Sequence, residues 1–255
     1  MLQTLKQHRF LLEELIKRDF ERKYKGSLFG TAWSVLNPLL TLLIMRVVFG
    51  HFFGTGMPHF TTYLFCGTVI FGFFSESTSE GLAALVNNSP IFTKVNVPKY
   101  LFLLSKNAQT LINFALTLLV FFLFCALDGI TFSWRFLALF YPALMLLLFN
   151  LGMGFILSAL YVFYRDMQYF WGILTQFLMY LSAIFYPIDT FSPQVQNAFL
   201  LNPLYLFIRY FRKIVLDGAI PSVGFHALMA FDAFAVLFIG IRMYRKYDTE
   251  FLYYV

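Results

Sequence analysis

Arg22, Lys23 and Lys25 set three cations in a single turn, just ahead of an apolar run that opens at Thr31. Cations at the mouth of an apolar segment bind phosphate groups, either of ordinary lipids or of a phosphorylated cargo. Two readings follow: a plain interfacial anchor, or a cluster that also meets an anionic lipid substrate. No bond-making constellation accompanies them. His8, His51, His59 and His226 are scattered, and the sequence holds no H-E-x-x-H, no G-x-S-x-G and no Cys/His cluster. Cys66 and Cys125 sit in separate apolar runs, with no metal-site or disulfide spacing. The phosphate-loop pattern G-x-x-x-x-G-K-[ST] is also missing, so ATP, if it drives the protein, must be bound by another polypeptide. The residues point to moving a substrate rather than transforming one, with no cofactor or metal held by this chain and no nucleic-acid partner.

The elements that would position these groups are membrane helices. Apolar residues make up 60% of the 255, and charged residues 13%, against roughly 45–50% and about 25% in soluble domains. Six runs, 31–53, 61–86, 108–126, 136–164, 169–186 and 225–244, reach or approach the length that spans a bilayer; a helix rising about 1.5 Å per residue needs about 20 apolar residues to cross it. An all-α polytopic membrane protein with six transmembrane helices is expected, in one domain over 1–255. Lys and Arg concentrate before the first run, in the loop after the second, at Arg165 and at Arg242, Arg245 and Lys246. That bias puts both termini in the cytoplasm. Arg209, Arg212 and Lys213 break it, and an amphipathic helix lying flat on the outer surface would explain them. Among charges inside the runs, Arg46 and Asp232 fall at matching depth: either they pair, or Arg46 snorkels outwards or faces the path and Asp232 is protonated. Glu76 and Glu80, one turn apart, read as structural or snorkelling residues.

Two cytoplasmic segments stand out. In 1–25, Leu12, Ile16, Phe20 and Tyr24 recur every four residues among charges, the pattern of an amphipathic helix in the headgroup layer. In 87–100, Pro90 and Pro98 bracket a short segment in which Ser89 or Asn88 would cap a brief helix. It is either an ordinary turn or a rigid lever for a partner to push. Aromatic residues reach 21%, with 35 Phe, and their faces suit sugar rings as well as lipid and packing.

Taken together, R-D-F-E-R-K-Y-K-G-S-L-F-G-T-A-W-S-V-L-N-P-L-L at 18–40, T-K-V-N-V-P-K at 93–99, Y-R-D-M-Q-Y at 164–169, F-Y-P at 185–187 and L-N-P at 201–203 resemble the membrane subunit of ABC-2-type polysaccharide exporters. The likeness is strongest to O-antigen exporter permeases. It implies a homodimer in the inner membrane over two copies of an ABC ATPase subunit, moving polysaccharide on a polyprenyl pyrophosphate carrier outwards. It implies that Ser89, Pro90, Lys94, Pro98 and Lys99 form the coupling segment seated in the ATPase. It further implies that Arg22, Lys23 and Lys25 lie near carrier lipid and that 187–224 forms outer re-entrant or gate helices. Spans one and five would meet at the subunit contact, making Trp33, Phe49, Phe52, Tyr169, Phe177 and Tyr180 the candidates for the substrate path. An exporter of a small lipophilic compound is the rival within the fold. An integral membrane glycosyltransferase is the rival outside it, with Asp166 and Asp189 its nearest approach to an acidic site.

Overall fold

Every regular element in the computed structural model, which describes residues 8–53, 57–189 and 191–255, is helical. The side chains of Tyr24, Thr31 and Phe53 are also outside the described set, as are 1–7 of the expected amphipathic helix and 54–56 of the first loop. The helices are α1 (Arg9–Tyr24), α2 (Trp33–Phe53), α3 (Phe60–Asn87), α4 (Ser89–Phe92), α5 (Tyr100–Leu127), α6 (Phe140–Phe163), α7 (Met167–Leu181), α8 (Pro193–Phe199), α9 (Pro203–Val215), α10 (Val223–Tyr247) and α11 (Phe251–Tyr254). Short 3-10 turns lead into α2 and α6.

Five helical stretches are long and apolar enough to cross a membrane, those built on α2, α3, α5, α6 and α10. In place of the expected fifth span, α7 has 15 residues, about 22 Å against the roughly 30 Å of a hydrocarbon core. Hydropathy stays high through Tyr186, but the helix does not. Ala183 takes a left-handed backbone (φ 50°), which ends the helix and turns Ile184 and Phe185 into the protein interior, where both are buried. Apolar continuity reads as helix only while the chain is straight.

α3 is the central helix, packed by α2, α5, α6, α7 and α9. The tightest pairing is α6 with α10. A Cβ on Gly152 would stand 2.5 Å from the Leu237 amide nitrogen, and one on Gly240 would collide with the Gly152 carbonyl. Bare backbones therefore meet at that crossing, the small-residue solution by which lipid-embedded helices gain close packing.

The second departure from the expectation is α9. Rather than lying flat on a surface, it is sunk in the protein: Leu206, Phe207, Ile208, Tyr210, Phe211 and Ile214 are fully buried, and Arg209 alone of its three cations is exposed. The L-N-P motif explains how it enters. Pro203 occupies the first turn, and Asn202 accepts from the Leu204 amide (3.0 Å) while donating to the Leu181 carbonyl and Ser182 Oγ. That ties the start of α9 to the end of α7. Arg212 completes the tie. It donates to the carbonyls of Ala183 (2.8 Å), Ile184 (2.9 Å) and Tyr63 (3.3 Å), and its guanidinium stands 3.4 Å from the centre of the Tyr63 ring. Gly67 permits this approach, since a Cβ there would meet Ile184 and Arg212 at 3.0–3.2 Å. Arg212 thus departs from the charge bias because protein carbonyls, not lipid, surround it.

Candidate functional site

α1 carries the basic cluster to one end of the bundle, and its seating differs from that of a helix lying only in lipid headgroups. Leu15 and Asp19 are buried, and the helix packs along the first turns of α5. Those turns, 100–107, extend α5 beyond its apolar run, because their partner is α1 and not lipid. The Asp19 carboxylate is held by Arg18 (2.6 Å), by the Ser105 hydroxyl (3.1 Å) and more loosely by Lys106 (3.9 Å). Lys106 in turn pairs with Glu80 at 3.0 Å. A carboxylate so enclosed is stable only with such partners, and removing one costs about 3–5 kcal/mol.

One turn further on, Lys23 reaches Glu76 at 2.6 Å, and Asn113 Nδ2 donates to the same carboxylate oxygen at 2.7 Å. Lys23 and Glu76 are each about one-third exposed, so the pair is worth no more than ~1 kcal/mol and can open. Glu76 and Glu80 are therefore members of a charge network, a role their spacing alone did not give.

Lys23 and Glu76 stand at a cavity of about 690 Å³ between α2, α3 and α5. Its wall is mixed: Asn37 and Thr41 from α2, Thr68 and Ser79 from α3 and Thr117 from α5 set hydroxyls and amides among the apolar side chains of Phe65, Val69, Phe71, Phe73 and Phe114. Trp33 lines the cavity from the start of α2. Pro38 lies inside α2 and lines the same cavity; without an amide hydrogen it leaves a carbonyl of the preceding turn unbonded within the helix. Hydroxyls, amides, a carboxylate and an aromatic face together suit a polyhydroxylated ring, while the adjacent cations suit a phosphate.

Of the six path candidates, the structure brings only Trp33 to this cavity. Phe49 is stacked on Phe185 (4.5 Å). Phe52, Tyr169, Phe177 and Tyr180 are more than half exposed on the outward faces of α2 and α7. Of the basic cluster, Lys23 lines the cavity, and Arg22 and Lys25 are exposed beside it. Asn37, Thr41, Asn113 and Thr117 were missed by the sequence reading. Their signal was polar residues recurring inside apolar runs, Asn37 with Thr41 and Asn113 with Thr117, each pair one turn apart.

The coupling candidates form the expected short helix: Ser89 and Pro90 open α4, although no side chain caps it. Asn88 instead donates to the Ala84 carbonyl (2.8 Å) and accepts from Arg18 (2.8 Å). Lys94 is exposed, and Pro98 stands just ahead of α5. Lys99 is committed elsewhere, donating to the Asp248 carbonyl (2.7 Å) and pairing with its carboxylate (3.2 Å). The expected Arg46–Asp232 pair is not made within the chain. Among the described residues no ion pair joins them, because α2 packs on α3 and α5 while α10 packs on α6 and α9.

A helical bundle with membrane-length spans and an internal cavity beside a charge network is the form of a membrane transport protein. Residues 11–216 match the ABC-2 type transporter family, and the chain belongs to it. The chain is 27% identical over 241 residues to the O-antigen export system permease protein RfbA of Myxococcus xanthus, covering 94% of this chain and 92% of the relative. Its identity to the RfbA of Klebsiella pneumoniae is 25% over 243 residues (94% and 93%), and to the polysialic acid transport protein KpsM of Escherichia coli 25% over 244 residues (94% and 95%). The resemblance carried by 18–40, 93–99, 164–169, 185–187 and 201–203 is borne out.

Proposed function

We propose that this chain is the permease subunit of an ATP-driven exporter of polysaccharide carried on a polyprenyl pyrophosphate. In this reading two copies form the pore in the inner membrane over two copies of a separate ATP-binding subunit, with both termini cytoplasmic. The fifth crossing is made by α7 together with the turn that follows it, and α8 and α9 form the outer gate. The observation that carries the reading is the cavity beside Lys23, with its mixed wall. A path for a small lipophilic compound would use the Phe and Val side chains of that wall and leave its amides and hydroxyls unpaired, whereas a sugar chain with an anionic lipid head uses the aromatic rings, the polar groups and the adjacent cations together.

The residues then divide the work. Arg22, Lys23 and Lys25 attract the pyrophosphate, and Lys23 exchanges the Glu76 carboxylate for it. Glu76 and Asn113, freed together, accept from and donate to the first sugar's hydroxyls, and Trp33 offers its face to the ring. The ATPase seats against α4 and Lys94. Its movement reaches the cavity through Asn88, Arg18, Asp19, Lys106 and Glu80, a continuous set of contacts from the coupling turn to α3.

The test is deletion of the gene and complementation with variants. Loss of the chain should leave lipid-linked polymer on the cytoplasmic side, and Lys23→Ala with Glu76→Gln should lower export severalfold at unchanged abundance. Polymer that still reaches the surface in the deletion strain, or ATP hydrolysis by the purified chain alone, would overturn the proposal.

A further inference from the structure

The start of α5, α6 and the last turns of α10 enclose a second crevice, of about 300 Å³, that is separate from the cavity above. Pro98, Phe155, Ile241 and Tyr244 give it an apolar wall, and Lys99, Arg245 and Asp248 line it as well. Lys99 and Asp248 neutralise each other at 3.2 Å. Arg242, Arg245 and Lys246 are exposed, and no carboxylate pairs with any of them among the described residues. The Tyr100 and Tyr244 hydroxyls, from the same wall, have no hydrogen-bond partner among the described residues. Along α10 from these cations the exposed face turns apolar through Phe238, Ile239, Phe234 and Phe231, all more than half exposed.

We propose that this end of α10 is a binding site for an anionic membrane phospholipid, with its phosphate at Arg242, Arg245 and Lys246 and an acyl chain along Phe238 and Phe234. The order of chemistry along the helix selects this occupant. Cations lie at the end and an unpartnered aromatic strip lies at membrane depth, which is the order of parts in a diacyl phosphate lipid lying beside a span. A soluble acidic peptide or a free phosphate would leave the strip unused. Phe238, Ile239, Arg242, Arg245 and Lys246 line one groove along this face of α10, and Arg245 is the residue that the groove shares with the crevice. Placement at the inner leaflet rests on the orientation proposed above.

The test is retention of added lipid by the delipidated protein in mild detergent, read by native mass spectrometry. Phosphatidylglycerol is compared with phosphatidylethanolamine of the same chains. Phosphatidylglycerol should be retained in preference. The combined Arg242→Gln, Arg245→Gln and Lys246→Gln variant should lose the preference, by about fivefold per cation removed, while Lys94→Gln keeps it. The single variants Arg242→Gln and Lys246→Gln are measured alongside, so that poor folding of the triple variant still leaves a reading. Equal retention of the two lipids, unchanged preference in the variants, or equal competition by soluble glycerol phosphate would each overturn the proposal. Binding in detergent involves neither transport nor orientation, so its failure and that of the export reading are told apart.

Discussion

Arg212 shows how much a single buried cation can organise when carbonyls surround it. It holds the turn after α7 against the first turn of α3 by donating to Ala183, Ile184 and Tyr63. Replacing it strands buried carbonyls at about 1–3 kcal/mol each. Arg212→Gln should therefore lower the melting temperature in detergent and the cellular abundance. Arg212→Lys should not rescue either, because an ammonium on a flexible stem cannot replace a planar fork. Wild-type melting in the Lys variant would show that charge alone matters there. Neither role nor burial was legible in the run F-I-R-Y-F-R-K, where alternating cations and rings suggested a surface helix. Spacing reports which residues share a face, not whether that face meets water, lipid or protein. The pairing of Arg46 with Asp232 failed for a related reason: equal depth is not adjacency. Neutralising Arg46 alone should leave abundance unchanged, measured by immunoblot of membranes.

Helix existence at the scale of elements was legible, because 20-residue apolar runs have few alternatives in a bilayer. Helix contacts were not. Gly152 and Gly240 are ordinary residues in their sequence context, yet they let α6 and α10 meet backbone to backbone. Gly240→Ala should force the pair apart and cost several degrees in a thermal melt, while Ala at Gly172, where a Cβ meets nothing within 4 Å, should cost little. The coupling turn follows the same lesson. Pro90 announced a short helix, but the Asn88–Arg18 contact that fastens α4 to α1 spans 70 residues and leaves no local signature. Asn88→Ala removes that contact and the bond to Ala84, and should weaken stability by about 2–4 kcal/mol for the two together. At matched amounts of assembled transporter it should also cut substrate-stimulated ATP hydrolysis. Full stimulation with Asn88→Ala would place the coupling path elsewhere.

For the molecule as a whole, the unburied surface is as informative as the core. Only 6% of the apolar window of α2 is buried inside the chain, against 61% for α3. Leu43, Ile44, Val47 and Phe52 on α2, and Tyr169, Ile173 and Phe177 on α7, are all more than half exposed. A lipid-facing helix needs no partner for such residues, so exposure alone decides nothing. The cavity decides more, because α2 forms one of its walls. α2 turns Asn37 and Thr41 towards α3 and α5 and its other face outwards. In the dimer proposed above, that outward face and the exposed face of α7 would meet the second copy, with Phe52, Tyr169, Phe177 and Tyr180 as contact residues. Both native cysteines are buried, so single cysteines can be introduced with little background. Cysteine at Val47 or Ile173 should crosslink two copies in native membranes. Cysteine at Phe231, on the outward face of α10, should not. Crosslinking at Phe231 in preference to Val47 would put the dimer contact on the opposite side of the bundle, and the cavity beside Lys23 would then open to lipid rather than to a partner.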